Sequence, residues 1–173
     1  MNSLHNNRIN ASEIAEFFLS LDPKREYFIK DKMIKVEGNS VPMAGNLRLN
    51  KLLQITQMLY ASKEGKYLFP EKFWAFEHGG IIYDIYHRFH FLVNPHRHIS
   101  FKNLSSDLKI FLTKIFNYFK SYTNKQLEDF VHEDPAWFTN WDDQKKSKEM
   151  AQNSEMIKYY QDFVYHIAEK IGL

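Results

Sequence analysis

The stretch Leu47-Arg-Leu-Asn-Lys-Leu-Leu-Gln-Ile-Thr-Gln-Met-Leu-Tyr60 spaces its apolar residues as an amphipathic helix does. We predict a helix over 47–62, with one face formed by Leu49, Leu52, Leu53, Thr56, Leu59 and Tyr60. The opposite face carries the polar residues Asn50, Lys51, Gln54 and Gln57. The polar, glycine-containing stretch 37–46 is interpreted as a loop that leads into this helix.

An aromatic segment follows the helix. Leu68-Phe69 comes first, and Lys72-Phe-Trp-Ala-Phe-Glu77 is too short for its period to assign, so we interpret it as a short extended piece. Gly79-Gly80 interrupts the pattern. Apolar residues at helical spacing then predict a second helix, which Pro95 and its neighbours end. These residues are Ile82, Ile85, Tyr86 and Phe89.

Capping signals place two more helices. Asn10 and Glu13 have the spacing of a capping box, in which cap and third-residue side chains satisfy free amide groups. The helix behind them should end near Asp22-Pro23. Thr123 and Gln126 have the same spacing and open a short helix.

The longest apolar stripe predicts a central helix, capped by Asn103 or Ser105. It consists of Leu108, Phe111, Leu112, Ile115, Phe119 and Tyr122. Further along, Asp134-Pro135 supplies a cap and a first-turn proline for a short turn. A charged run over 142–148 is interpreted as a connection, and a last helix is predicted between Asn153 and Gly172.

Residues 22–46 are interpreted as an inserted loop or hairpin. The change of pattern over Tyr27–Val36 fits two short strands around a turn, or an irregular insertion. The whole chain, residues 1–173, is therefore predicted to be mainly α: a single compact helical domain of six or seven helices with at most a small β-hairpin.

Composition excludes several classes of function. The net charge of the 173 residues is only +2, too small for a whole-molecule field that attracts nucleic acid. The absence of cysteine excludes disulfides and thiolate zinc sites. No apolar run approaches the ~20 residues of a membrane span, and the start lacks a signal-peptide core. We therefore expect a soluble, cytoplasmic protein that does not bind membranes.

Candidates for catalysis and metal binding are weak. His87, His90 and the later His96 and His98 have spacings that allow a shared metal, but no carboxylate lies at ligand spacing. The alternative is a helix end whose histidines face water. His132-Glu133-Asp134 has the residues of a general base and an acid that orients it. Such a trio more often caps a helix, and we favour that interpretation. We predict no catalytic residue, no metal ligand and no cofactor, with a histidine-ligated metal-dependent hydrolase as the minor alternative.

The aromatic content is high, with 15 Phe, 10 Tyr and 3 Trp. Such residues supply large buried areas in cores and in protein interfaces, and both interpretations stay open. For a partner surface we predict an exposed aromatic and polar patch. Its residues are Phe73, Trp74, Phe76, Glu77, His78, Tyr83, Trp137 and Trp141.

The order of these segments resembles the Panacea-domain family over roughly residues 14–163. That family carries a leucine-rich helix, a Pro-Leu-Phe step, an Ala-Trp-x-x-Gly-Pro-Val motif, a His-x-x-x-Pro-Trp-like element and paired aromatics. The matching residues here are Leu49, Lys51, Leu52, Leu53 and Gln57, then Leu68-Phe69, Ala75 to Ile81 and Ile85-Tyr86, then Leu127, His132, Pro135 and Trp137, and lastly Tyr159-Tyr160. Phe76 stands for the usual tryptophan, Gly80 for the proline, and 25–46 is longer than usual.

The resemblance implies an antitoxin-like, protein-binding module of a prophage or mobile element that is not an enzyme. In that family a cognate protein toxin is neutralised by direct contact, in at least one case by delivery to a protease as an adaptor. The main alternative is a DNA-binding autoregulator of a toxin-antitoxin locus. Against it, the candidate basic residues Arg88, Arg97, Lys102 and Lys109 are scattered.

Overall fold

The structure, a computed structural model, describes residues 9–28, 33–36, 39–42, 46–89, 101–142 and 147–173. These residues form eight helices and two short antiparallel hairpins, so the mainly α class is confirmed. The helices are α1 (Ala11–Leu21), α2 (Leu47–Glu64), α3 (Tyr83–Arg88), α4 (Ser106–Phe119), α5 (Asn124–His132), α6 (Pro135–Phe138), α7 (Ser154–Phe163) and α8 (Tyr165–Ile171). The strands are β1 (Met33–Val36), β2 (Asn39–Pro42), β3 (Trp74–Phe76) and β4 (Gly79–Ile81).

The central helix of the described part of the chain is α2. It packs against α1, α3, α4, α5, α7, α8 and β4, whereas the main contacts of α4 are with α1, α2 and α8. The prediction that the fold is built around the 108–122 helix is therefore wrong. The physical reason is that α2 buries its polar face as well as its leucine face. The side chains Asn50, Lys51, Gln54 and Gln57 are only 1–4% exposed.

The predicted capping boxes are both present. Asn10 Oδ1 accepts from the Glu13 amide at 3.0 Å, and the Glu13 carboxylate accepts from the Asn10 amide at 3.3 Å. Thr123 and Gln126 make the corresponding pair at the start of α5. Each box satisfies amide groups that a helix start leaves without an intrahelical partner.

Of the two caps predicted for α4, the structure selects one. Ser105 Oγ accepts from the Leu108 amide at 3.2 Å. Asn103 instead donates to Glu13 Oε1 at 2.6 Å and so joins α4 to the start of α1. The last predicted helix begins behind Asn153 as expected, but it divides at Val164 into α7 and α8.

The inserted segment forms a hairpin later than predicted. Tyr27 and Phe28 lie in a turn because the Asp22 carboxylate accepts from the amides of Glu26, Tyr27 and Phe28 at 2.9–3.1 Å. The strands that do pair are β1 and β2, with Met33 opposite Pro42. Part of the stretch interpreted as a loop, 39–42, is therefore a strand.

The aromatic segment is extended, as predicted. β3 pairs with β4, and on its other edge the backbone of Phe73 and Ala75 bonds to Met150 and Lys148 at 2.8 and 2.9 Å. Gly79-Gly80 is part of β4 and does more than interrupt a pattern. The predicted helix end at Pro95 lies outside the described residues.

Candidate functional site

Two amides of α2 hold the β3–β4 hairpin in place. Gln54 Oε1 accepts from the Gly80 amide at 2.8 Å, and Asn50 Oδ1 accepts from the Ile82 amide at 3.0 Å. A strand edge normally presents unpaired N–H groups, and here buried side chains supply the acceptors. The polar face of α2 therefore determines where the hairpin lies.

Close packing makes glycine necessary at the hairpin turn. Gly79 has φ +116°, which L-residues rarely adopt, and a Cβ there would lie 2.8 Å from Val131 Cγ2. A Cβ on Gly80 would lie 2.9 Å from both Gln54 Oε1 and Met150 Sδ. The two glycines thus let the hairpin approach α2 and α5 closely.

A buried carboxylate extends this network to α6 and α7. Asp134, 1% exposed, accepts from Gln54 Nε2 and from the Tyr160 hydroxyl, each at 2.9 Å. It also caps α6 by accepting from the Ala136 amide at 2.9 Å. Burial raises the pKa of Asp134, and the hydrogen bonds from Gln54, Tyr160 and Ala136 oppose that rise. Asp134 thus joins three helices.

Two contacts fasten the turn of the hairpin to α5 and α6, and a third joins these two helices. His78 Nδ1 lies 3.0 Å from Glu128 Oε2, and Trp137 Nε1 donates to the Phe76 carbonyl at 2.8 Å. His132 stacks on Trp137 with ring centroids 3.8 Å apart and an interplanar angle of 8°. Burial lowers the pKa of His132, although the nearby Glu128 carboxylate raises it in part.

An open groove of about 350 Å³ lies between the hairpin and the start of α3. We call it the hairpin groove, and its lining residues are Leu47, Phe76, Glu77, His78, Gly79, Ile81, Tyr83, Tyr86 and His87. Tyr83 is 39% exposed, with its ring 5.3 Å from Trp74 and 5.9 Å from Phe76. Aromatic rings packed in this way form a rigid wall with one accessible face.

Some residues of the predicted patch are buried and do not form part of a surface. Phe73 and Trp137 are 3% and 8% exposed, so the expectation that they are surface residues is wrong; both complete the hydrophobic core. Trp141 is half-buried and stacks at 6.4 Å on Trp137, away from the groove lining. Trp74 supports Tyr83 from behind.

Four of the predicted residues do meet in the hairpin groove: Phe76, Glu77, His78 and Tyr83. The predicted patch did not include the other lining residues, which are Leu47, Gly79, Ile81, Tyr86 and His87. The spacing of Tyr86 and His87 behind Tyr83 was a signal, because residues three and four apart share a helix face. No local signal points to Leu47, which reaches the groove only through the packing of α2.

The described residues include only part of the sequence candidates for catalysis and metal binding. Over the described ranges, no group of three or more metal-ligating side chains comes together; His90, His96 and His98 lie outside those ranges. Asp134 bonds to Gln54, Tyr160 and Ala136, and none of its described hydrogen bonds goes to His132. The cap interpretation of the 132–134 trio is thus correct for Asp134.

Two of the four basic residues considered for DNA binding engage side chains of the protein itself. Arg88 pairs with Glu16 at 3.2 Å, and Lys109 Nζ lies 5.3 Å from the Phe101 ring. Arg97 lies outside the described residues. In the part of the chain that can be described, no helix is long and apolar enough to cross a membrane.

Comparison with known proteins gives one match. The sequence model of the antitoxin SocA-like family, Panacea domain, matches residues 49–138, just over half of the chain. The match runs from the first turn of α2 to the end of α6 and includes every residue of the hairpin groove except Leu47. No curated protein and no solved structure matches the chain.

Proposed function

This chain belongs to the Panacea-domain family of SocA-like antitoxins, and from that membership we propose that it neutralises a cognate protein toxin by direct contact. The contact surface that we propose is the hairpin groove, used without catalysis. Of the predicted patch, Phe76, Glu77, His78 and Tyr83 make the contact, and Trp74 stiffens it. Phe73, Trp137 and Trp141 act indirectly, by holding the hairpin.

The observation that carries the proposal is an open, largely apolar groove within the family-matched segment, built on a fastened hairpin. The hydrogen bonds that Asn50 and Gln54 accept, with the contacts of His78 and Trp137, hold the hairpin before any partner arrives. A surface that is already ordered loses little conformational entropy on binding. Exposed aromatic residues at such a site are frequent hot spots of protein interfaces.

Tyr83 provides the sharpest test. Tyr83→Ala removes a ring that is 39% exposed at the first residue of α3. The matched control is Tyr165→Ala, which removes a ring that is 59% exposed at the first residue of α8. The toxin probe is the product of the reading frame adjacent to this gene, once its expression alone has been found to stop growth, and rescue of growth on co-expression is the readout.

We expect the wild type and Tyr165→Ala to rescue growth, and Tyr83→Ala to rescue poorly while remaining folded. A hot-spot loss of about 2 kcal/mol corresponds to a roughly 30-fold rise in Kd. Equal rescue by both variants would remove the hairpin groove from the proposal. Failure of the wild type to rescue growth would refute toxin neutralisation itself.

Contact with the toxin can neutralise it in two ways. The protein either blocks the toxin directly or acts as an adaptor that presents it to a protease, and the proposal includes both. The half-life of the toxin after translation stops separates the two forms. Presentation shortens that half-life only when this protein is present and only when Tyr83 is intact, whereas blocking leaves it unchanged or longer.

A further inference from the structure

We infer that the hairpin groove takes a bulky apolar side chain that stands beside a lysine or arginine in the partner's sequence. This inference rests on the proposed function and adds the chemistry of the contacting segment. It depends on two properties of the groove, its apolar interior and its acidic rim.

The interior of the groove suits one or two large apolar side chains. Its wall is formed by Leu47, Phe76, Ile81, Tyr83 and Tyr86. The volume of about 350 Å³ lies at the lower end of the range for ligand pockets, roughly 300–1,000 Å³. An aromatic side chain that enters such a site buries about 150–250 Å² of its own surface.

The rim of the groove is acidic. Glu77 at the hairpin turn and Asp84 in the first turn of α3 are exposed, and no described residue forms an ion pair with either. Glu77 is the acid of the groove lining itself, whereas Asp84 directly follows Tyr83 and lines the adjoining hollow that shares His87 with the groove. Glu128 bonds to His78 of the lining at 3.0 Å. Glu77 therefore places negative charge in the lining, and Asp84 and Glu128 place more beside it.

The cations near the rim are engaged elsewhere. Arg88 of α3 pairs with Glu16 at 3.2 Å, and Lys125 of α5 pairs with Asp129. Lys51 is 3% exposed and lies beneath the surface. His78, whose Nδ1 lies 3.0 Å from Glu128 Oε2, and His87 also line the groove. A basic side chain on the partner is thus the complement that the rim lacks.

Rim charges of this kind select and orient a partner more than they add affinity. An exposed ion pair adds little affinity, whereas like charges brought together repel each other. We therefore expect the apolar anchor to supply most of the affinity. The neighbouring basic residue supplies the preference among sequences and a dependence on salt.

A display library of random 12-residue peptides tests the inference on the full-length protein. Peptides are selected on the wild type and counter-selected on Tyr83→Ala, so that only groove-dependent sequences survive. We expect enrichment of peptides in which Phe, Tyr, Trp or Leu lies within about three positions of Lys or Arg. Their affinity for Glu77→Lys/Asp84→Lys should fall about fivefold or more at low salt.

Charge reversal supplies the matched control. A selected peptide whose basic residue is changed to Glu should bind the wild type more weakly and bind Glu77→Lys/Asp84→Lys as well as or better than the original. Circular dichroism of each variant shows that the fold is kept. The reversal separates a charge contact from a change in shape.

Three results would overturn the inference: enriched peptides without basic residues, affinities that the charge reversal leaves unchanged, or no groove-dependent peptide at all. The growth-rescue experiment distinguishes these from a failure of the proposed function. If the toxin is neutralised through Tyr83 but the peptides lack basic residues, only the inference fails. If peptides with both a basic and an aromatic residue bind but no toxin is neutralised, the inference about the groove stands and the proposed function fails.

Discussion

Helices α2 and α4 carry similar apolar stripes and have different positions in the fold. In α4 the apolar side faces the core, and residues such as Lys114 and Asn117 on the other side are exposed. In α2 the leucine face and the polar face are both buried. Hydrophobic periodicity identifies the apolar face of each helix. It does not show whether the polar face is exposed to water, as in α4, or buried, as in α2.

The partners of the polar side chains explain the difference. The Ser105 cap of α4 bonds to a residue three positions away, within reach of local sequence reasoning. Gln54 of α2 bonds to residues 26 and 80 positions away. Such partners keep a buried amide from losing its hydrogen bonds, which would cost about 1–3 kcal/mol for each unsatisfied group.

The largest effect is expected from Gln54→Ala. It leaves the Gly80 amide without its acceptor and Asp134 Oδ2 without its donor, both in the buried network. The free energy of unfolding should fall by about 3–5 kcal/mol, measured by urea denaturation. The matched change in α4, Asn117→Ala, removes an exposed amide and should stay within about 0.5 kcal/mol. Equal effects would mean that the α2 network contributes nothing.

The next effect concerns the hairpin that α2 holds. Gly79→Ala combines a φ of +116° with a Cβ 2.8 Å from Val131 Cγ2, so we expect a loss of about 2–3 kcal/mol in the same assay. Gly65 follows the last residue of α2 and has φ +64°, and a Cβ there would meet no atom within 4 Å. Gly65→Ala should therefore lower the free energy of unfolding by only about 1 kcal/mol. If the two costs were equal, the close approach of the hairpin would not matter.

Titration of His132 should give a smaller effect. Burial lowers its pKa below the ordinary 6.5, so at higher pH the ring is neutral in both the folded and the unfolded chain. As the pH falls below 6.5, the unfolded chain binds the proton first, and stability is lost as the pH passes through the lower folded-state pKa. His132→Phe keeps a ring on Trp137 but does not titrate.

The measurement compares urea midpoints of the wild type and His132→Phe between pH 8 and pH 5. As the pH falls, the urea midpoint of the wild type should fall relative to that of His132→Phe. Asp134 has a raised pKa and acts in the opposite direction, but it is present in both proteins and largely cancels in the difference. A difference that does not vary with pH would contradict the burial of His132.

The smallest effect belongs to α4. Ser105→Ala removes the cap that accepts from the Leu108 amide and should cost about 1 kcal/mol. The neighbouring Ser106→Ala changes an exposed residue inside the helix and should stay within about 0.5 kcal/mol. The same urea assay checks both variants. A larger loss of stability for Ser106→Ala than for Ser105→Ala would contradict the assignment of Ser105 as the cap.

The candidate site was predictable in part. The segment from Phe73 to Tyr83 stood out because aromatic residues and two glycines are concentrated there, and four of the patch residues predicted in it line the hairpin groove. The burial of Phe73 and Trp137 was not predictable, because an aromatic ring has the same sequence signature in a core as in an interface. Leu47 reaches the groove only through the packing of α2 against a segment distant in the chain.

By itself the sequence determined the helical class, the capping boxes and the family, since each depends on residues close together in the chain or in a fixed order. Tertiary structure alone decided that α2 is central, that its amides hold the β3–β4 hairpin, and that Asp134 is buried between α2 and α7. The physical reason is that a polar side chain has the same local pattern in water and in a core. Only distant partners such as Gly80 and Tyr160 make its burial possible.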